Sequence, residues 1–489
     1  MPDPNTPVIV GIHQLLQRVD DPLAGAEPVD MMVSAARGAA ADAGNEALVT
    51  GIESVRVIRG VWRYKQPASY VAAKLGVPGA ETVGTPFGGN MVQSVVNETA
   101  MEILAGRKSL VLITGAENGN SQAKARKLGI ELPVTETHGT YTRMIGEDKS
   151  MSSEPELARN IRAPIQIYPI FENALRYERG ESIEDHVRRI SALWASFSEV
   201  AGNNPHAWLR DPVDDVTIRT PGPANRMVSF PYPKLMNSNN AVDMAAALVM
   251  CSVAKARELG IDEEKWIYPW AGTDAHDHFM VSDRDNLHTS PAIRIAGRRV
   301  LELAGRSVDD LDFIDVYSCF PSAVQVAMNE MALPEGRPLT VTGGLTFGGG
   351  PLNNYVMHSI ARTVELLRAS RSSVGLVTAN GGYLTKHAFG VYAGEPPARP
   401  FQHANVQEEV DATPSRHSVI DHDGEVTIES YTVMYGGESP AIGHAACLLP
   451  DGRRTWANTE DRDVMVAMTT EEFCGRRARI DGKGNLTVL

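Results

Sequence analysis

A chain of 489 residues with 43% hydrophobic side chains has material for two or three domains and a large buried core. Its formal charge of −14 excludes nucleic acid as the main partner, because polyanion binding needs clustered Lys and Arg; an anionic small ligand would need a local basic patch. The four cysteines (Cys251, Cys319, Cys447, Cys474) form no CxxC pair, the start is acidic and proline-rich, and no apolar run reaches membrane-spanning length, so a cytoplasmic, reducing location is expected.

In chain order, Val8-Ile9-Val10-Gly11 predicts a strand, and Pro28 to Ala43 a helix with proline near its start and Gly44 past its end. Ser54 to Ile58 alternates like a strand, and Ser69 to Gly76 reads as a short helix. Gly88 to Gly119 reads as a glycine loop, a helix with little polar face, a basic turn and a buried strand. From about 121 to 235 prolines and charge increase and helices lengthen, as in Ile183 to Ala201, which predicts an insertion. Ala241 to Cys251, the helix Pro291 to Ala304 and Asp312 to Tyr317 restore the alternation of an α/β fold. Glu395-Pro396-Pro397-Ala398-Arg399-Pro400 reads as a linker, and short strands with tight turns follow to the end, predicting a small barrel. The expected domains are 1–120, 121–235, 236–395 and 396–489.

An internal repeat supports a duplicated half. Glu102 to Gly119 and Glu365 to Gly382 each carry the end of a buried helix, a basic turn, a buried strand and a glycine loop. Duplication predicts that the two loops face one cleft.

The order of Thr114-Gly115-Ala116-Glu117, Asn204-Pro205-His206-Ala207, Val242-Asp243-Met244-Ala245, Asp315-Val316-Tyr317-Ser318-Cys319-Phe320, Gly343-Gly344-Leu345 and Gly349-Gly350-Pro351-Leu352 resembles the thiolase superfamily, in particular the sterol carrier protein 2 type thiolases and the thiolase-like proteins of type 1. The resemblance covers roughly residues 7–392. It implies a five-layered αβαβα arrangement of two similar halves, a lid insertion that binds coenzyme A, and a place among acetyl-CoA acetyltransferases of lipid metabolism. The segment after His403 resembles the OB-fold domains that accompany thiolase-like proteins, there often as a partner chain.

The resemblance also implies where thiolase chemistry should sit, and this chain departs from it at each place. A thiolase acylates a cysteine at the start of the buried helix, where the helix dipole favours thiolate; the matching position is Gly88. The histidine of the Gly-His-Pro motif is matched by Gly350, the Asn or His that opens the Asp-Cys-Phe-like motif and helps form an oxyanion hole by Tyr317, and the second cysteine by Thr378 or Ala379. Thiolysis is therefore not expected. Two readings stay open. One is a carbon–carbon lyase of retro-aldol type on a β-hydroxyacyl-CoA, with Tyr317, Tyr383 or His387 moving a proton; the other is a CoA or acyl-CoA binder in which Gly88 and Gly350 enlarge the pocket. Arg219 and Arg226, with Arg188 and Arg189 as further candidates, are expected at the CoA phosphates, and Asn237, Ser238 and Asn239 along the pantetheine. No covalently bound cofactor is expected, and the chain is expected to be a monomer or a homodimer. His276-Asp277-His278 lacks a distant partner for a metal site, and Cys319 reads as a core residue.

Overall fold

In a computed structural model describing residues 2–489, the strands are β1 (Pro7–Leu16), β2 (Ser54–Val57), β3 (Glu81–Gly84), β4 (Leu110–Asn118), β5 (Arg143–Met144), β6 (Met227–Ser229), β7 (Tyr232–Pro233), β8 (Asp243–Ser252), β9 (Tyr268–His276), β10 (Phe313–Asp315), β11 (Val374–Gly381), β12 (Lys386–Ala393), β13 (Gln402–Asn405), β14 (Gly424–Gly436), β15 (Ser439–Leu448), β16 (Arg454–Thr459), β17 (Arg477–Ile480) and β18 (Leu486–Val488). The first sheet has the order β1-β8-β4-β2-β3-β5 and the second β10-β11-β12-β9-β13. Strands β4, β8 and β11 are buried along nearly their whole length, which is why their sequences are apolar without alternation.

Two helices, Met91–Leu104 and Tyr355–Ala369, lie between the sheets and touch both, while Pro28–Asp42 and Pro67–Lys74 cover the outside of the first sheet and Pro291–Ala304 the outside of the second. The result is the expected sequence of helix and sheet layers. The helix Met91–Leu104 followed by β4 corresponds to Tyr355–Ala369 followed by β11, as the repeat predicts.

Two expected boundaries move. Residues 236–252 fall in the second half by sequence order, yet β8 pairs with β1 and β4 in the first sheet. A strand apolar on both faces between its ends carries no signal for which sheet it joins. The segment after residue 396 does not begin as a separate domain either, because β13 pairs in parallel with β9 at the edge of the second sheet.

The insertion is held by a fully buried carboxylate, Glu172 on the helix Pro164–Glu178. It accepts hydrogen bonds from His186 on the helix Ile183–Asn203 at 2.6 Å, from Gln325 at 2.6 Å and from Tyr232. Burial alone would push this carboxyl up; His186 and the other donors bring it below its usual value.

The C-terminal strands form a third, mostly antiparallel sheet in the order β16-β15-β14-β17-β18, with the helix Arg462–Ala467 between β16 and β17. A bridge between Asn458 and Asn485 brings its two ends together. Strand β6 of the insertion pairs with β14, and Phe230 enters the core of this sheet. Two buried arginines fasten the domain to the rest. Arg454 pairs with Glu429 and donates to the carbonyls of Ser282 and Arg284, and Arg159 donates to those of Trp456 and Lys483. Among the described residues, no helix is long and apolar enough to cross a membrane.

Candidate active site

The helix Met91–Leu104 can sit on the second sheet because small residues lie beneath it. A Cβ at Gly272 would meet the Asn97 side chain, and one at Gly390 the Gln93 side chain. Its start, Gly88-Gly89-Asn90, therefore meets the loop that leaves β11, with an added Cβ at Gly381 lying 3.2 Å from the Gly88 Cα. The second interlayer helix repeats this contact in the opposite sense. Its cap residue Asn354 donates to the Gly115 carbonyl of β4 at 3.0 Å, and an added Cβ at Gly115 would run into the Asn354 side chain. The two repeat loops thus do not face one cleft, as duplication suggested. Each closes on the helix start of the other half, because a pseudo-twofold arrangement exchanges partners.

At Gly88 an added Cβ would stand 2.6 Å from Asn90 Oδ1 and 2.9 Å from Lys386 Nζ, so the place of a side chain is already taken. Lys386 Nζ donates to the Phe87 carbonyl at 2.7 Å. Burial lowers the pKa of this amine, with Asp148 acting in the opposite direction. Gly89 is covered by the Tyr317 hydroxyl and the Asn380 carbonyl. The amide oxygens of Asn90 and Asn380 are buried without a hydrogen-bond partner. At Gly350 an added Cβ would lie 3.0 Å from Asn240 Oδ1 and 3.1 Å from the carbonyls of Asn239 and Leu345. The expectation that Gly88 and Gly350 enlarge a pocket is overturned: both positions are packed against neighbours.

Tyr317, Thr378, Ala379 and His387 do come together, around an internal void of only about 10 Å³. The Tyr317 backbone donates to Thr378 Oγ1 at 2.9 Å, and its hydroxyl makes no hydrogen bond among the described residues. Burial raises its pKa, and so does the neighbouring Cys319, whose own thiol burial pushes up to about 12. The other expected members of the glycine-loop cluster diverge. Tyr383 donates to the Arg162 carbonyl at 2.7 Å, away from Gly88. His387 lies 3.4 Å from Asp277, whose carboxyl burial would raise but His387, Arg284 and Ser290 hold below its usual value. Lys386 and His387 are consecutive strand residues, so they point to opposite faces of the sheet. The expectation of one phenol–ammonium–imidazole cluster facing Gly88 fails for that reason.

Lys386 instead faces the same side as its cross-strand neighbour His276, with Asp274 two residues before and Asn405 beyond it on β13. These residues, with Asn90, Met91 and Ser94 of the helix, line a cavity of about 400 Å³. Asp274 accepts from Ser94 and from Asn97 Nδ2 at 2.9 Å and lies 2.8 Å from His403 Nε2. Sequence reasoning missed this centre because its members come from a helix, β9, β12 and β13, and no local spacing joins them. The side chains of His276, Asp277 and His278 go to different partners: the Asp277 carbonyl, Ser290 and Thr413. Among the described residues, no three His, Cys, Asp or Glu side chains group as a metal set.

The residues expected at coenzyme A lie apart from this cavity. Arg219 pairs with Asp215 and Arg188 with Glu184, and both line a cavity of about 790 Å³ between the insertion and the C-terminal domain. Arg189 is tied to Glu181 at 2.7 Å and to Gln325 at 2.8 Å. Arg226 is exposed and donates only to the Met227 carbonyl. Asn237, Ser238 and Asn239 form a strap against the turn 344–350. Asn237 Nδ2 donates to the Pro233 carbonyl while its Oδ1 is buried and unpartnered; Ser238 donates to the Cys319 carbonyl; the Asn239 carbonyl accepts from the Gly350 N–H.

Residues 405–485 match a family profile described as the thiolase-like protein type 1 additional C-terminal domain. An acetyl-CoA acetyltransferase of Methanocaldococcus jannaschii is 24% identical over 166 residues, 34% of this chain and 40% of that protein. The chain thus spans less than half of that relative's length. An Ltp2–ChsH2(DUF35) aldolase structure shares the fold, with a TM-score of 0.57 at 18% identity over 80% of this chain and 99% of that one. The crystal structure of a monomeric SCP2-thiolase like protein type 1 from Mycobacterium smegmatis matches over 100% of both chains, with a TM-score of 0.85 and 31% identity. With layers, helix starts and C-terminal domain all accounted for along its full length, the chain belongs to the SCP2-thiolase-like protein type 1 family.

Proposed function

We propose that this protein binds coenzyme A or a CoA thioester and carries out no thiolysis. The observation that carries this reading is the start of the helix Met91–Leu104, where Gly88 offers no nucleophile and Asn90 and Lys386 fill the space one would need. Acyl transfer through an enzyme thioester requires a nucleophile, a base and a second acid/base group. The matching positions Gly350, Thr378 and Ala379 supply neither an imidazole nor a thiol. Binding is supported by the cavity of about 790 Å³ beside Arg188 and Arg219. Their ion pairs are partly exposed, and such pairs contribute only about 0–1 kcal/mol, so phosphate could replace the carboxylates. Calorimetry with CoA and acetyl-CoA tests the reading: saturable binding weakened about tenfold or more in Arg219→Glu supports it. Turnover of acetoacetyl-CoA with CoA sinks it.

A second reading, retro-aldol cleavage of a β-hydroxyacyl-CoA, has one observation in its favour. The Tyr317 hydroxyl is unpaired and abuts the helix start, where the partial positive charge favours a developing anion. Burial, which raises the phenol's pKa, keeps it protonated and makes it a weaker acid, so its part in this reading is to donate a hydrogen bond to the developing oxyanion. Release of an aldehyde or ketone that disappears in Tyr317→Phe would establish it. We also read the C-terminal domain as OB-like, since joining its ends at Asn458 and Asn485 gives the closed order β14-β15-β16-β18-β17 with a helix after β16.

A further inference from the structure

The cavity at the start of the helix Met91–Leu104 holds a set of groups that neither reading uses. Period-two alternation brings Lys386, His276 and Asp274 to one face of the second sheet, and β13 adds His403 beside Asp274. The helix lies over Gly272 and Gly390 but leaves the wider residues at the strand ends uncovered, so a cavity of about 400 Å³ remains there. Its wall also carries Met91 and Phe279, enough apolar surface for a short carbon chain.

From this geometry we propose that the cavity is a carbonyl-binding site in which Lys386 condenses with a small aldehyde or ketone. Lys386 lines the cavity, and its amine is tethered beside the glycine pair Gly88–Gly89, at the edge of the cavity, by its hydrogen bond to the Phe87 carbonyl. Burial lowers its pKa, which raises the fraction of neutral amine available for attack. Nζ forms a bond to the carbonyl carbon, and the oxygen takes up a proton to give a carbinolamine. The C–O bond then breaks, water leaves with the second amine proton, and an imine remains; no oxidant or reductant is consumed. His403 is held against Asp274, which also accepts from Ser94 and Asn97, so an oriented imidazole stands in the same cavity to pass protons to the departing oxygen. The proposal stands whether or not the chain binds CoA.

Reductive trapping tests it on the intact protein. Propanal or acetone is added with sodium cyanoborohydride, and adducts are mapped by peptide mass spectrometry. Lys149, which lines the same cavity and pairs with Glu147 at 2.9 Å, is the internal standard. The expected result is one adduct per chain, on Lys386, forming at least tenfold faster than on Lys149, absent in Lys386→Arg and slowed severalfold in His403→Asn while the labelling of Lys149 is unchanged. Equal labelling of Lys149 and Lys386, or no labelling of Lys386, overturns the proposal without recourse to any variant.

Discussion

The two interlayer helices begin in the same way and end up in different surroundings. Asn90 and Asn354 both cap a buried helix with αR backbone and a buried, unpartnered amide oxygen, and each faces a glycine of the other half, Gly381 and Gly115. Beside Asn354 the buried Asp315 is saturated with donors. Asp315 accepts from Tyr355 at 2.9 Å, Ser359 at 2.8 Å, Thr340 at 2.9 Å and the Val341 N–H at 2.9 Å. Around Asn90 the sheet ends in Lys386 and His276 and opens into the cavity of about 400 Å³. Duplication supplies two equal helix starts; the residues at the neighbouring strand ends decide which is structural and which can meet a ligand.

That contrast predicts a graded set of effects. The largest should come from Asp315→Ala, which takes the acceptor from three hydroxyls and a backbone N–H in the core; a loss of about 3–5 kcal/mol in urea unfolding is expected. A loss below 1 kcal/mol would remove the structural reading of that helix start. Next comes Glu117, on the strand end facing Asn354, whose carboxyl burial pushes up to about 7 from 4.5, partly offset by the Val61 N–H and Arg59. Between those values the unfolded chain has already released the proton that the folded chain keeps, so stability falls as pH rises from about 4.5 to about 7, by roughly 3 kcal/mol in all. Glu117→Gln should flatten that slope; an unchanged profile of thermal midpoint against pH would show that Glu117 titrates normally.

On the open side effects should be smaller and chemical. Gly88→Cys places a Cβ 2.6 Å from Asn90 Oδ1 and 2.9 Å from the mobile end of Lys386, costing about 1–3 kcal/mol. Its thiol, beside an ammonium and a helix start, should be alkylated by iodoacetamide faster than buried Cys319, while thiolysis stays absent because no base is restored. Thiolysis by this single variant would mean that the remaining machinery is intact. Smallest of all, Lys386→Met exchanges a half-buried amine for an apolar chain and should change the unfolding free energy in urea by less than about 1 kcal/mol. A shift comparable to that of Asp315→Ala would mean that both helix starts are structural.

Much of the fold can be read from local pattern. The helix Pro291–Ala304 and strand Arg477–Ile480 fall on the residues their caps and turns mark, and the repeat pairs the correct units. Partner choice is another matter. Nothing in Asp243–Ser252 says that it lies between β1 and β4, because a strand buried on both faces has no alternation to fix its side. The opposition of Lys386 and His387 is legible from strand period alone once β12 is recognised as a strand beginning at Lys386, and not as part of the loop before it. The contact between His403 and Asp274 joins residues 129 positions apart and leaves no trace in spacing.

The seating of Phe230 in the core of the C-terminal sheet has a consequence for how the chain can be divided. The exposed stretch Glu395–Pro400 invites a protease, yet a single cut there would not release the C-terminal piece. That piece would keep β13 hydrogen-bonded to β9, Arg454 seated on Ser282 and Arg284, and Phe230 of the other piece lodged in its core. The nicked protein should travel as one particle under native conditions and separate into two only in denaturant, a covalent break without a structural one.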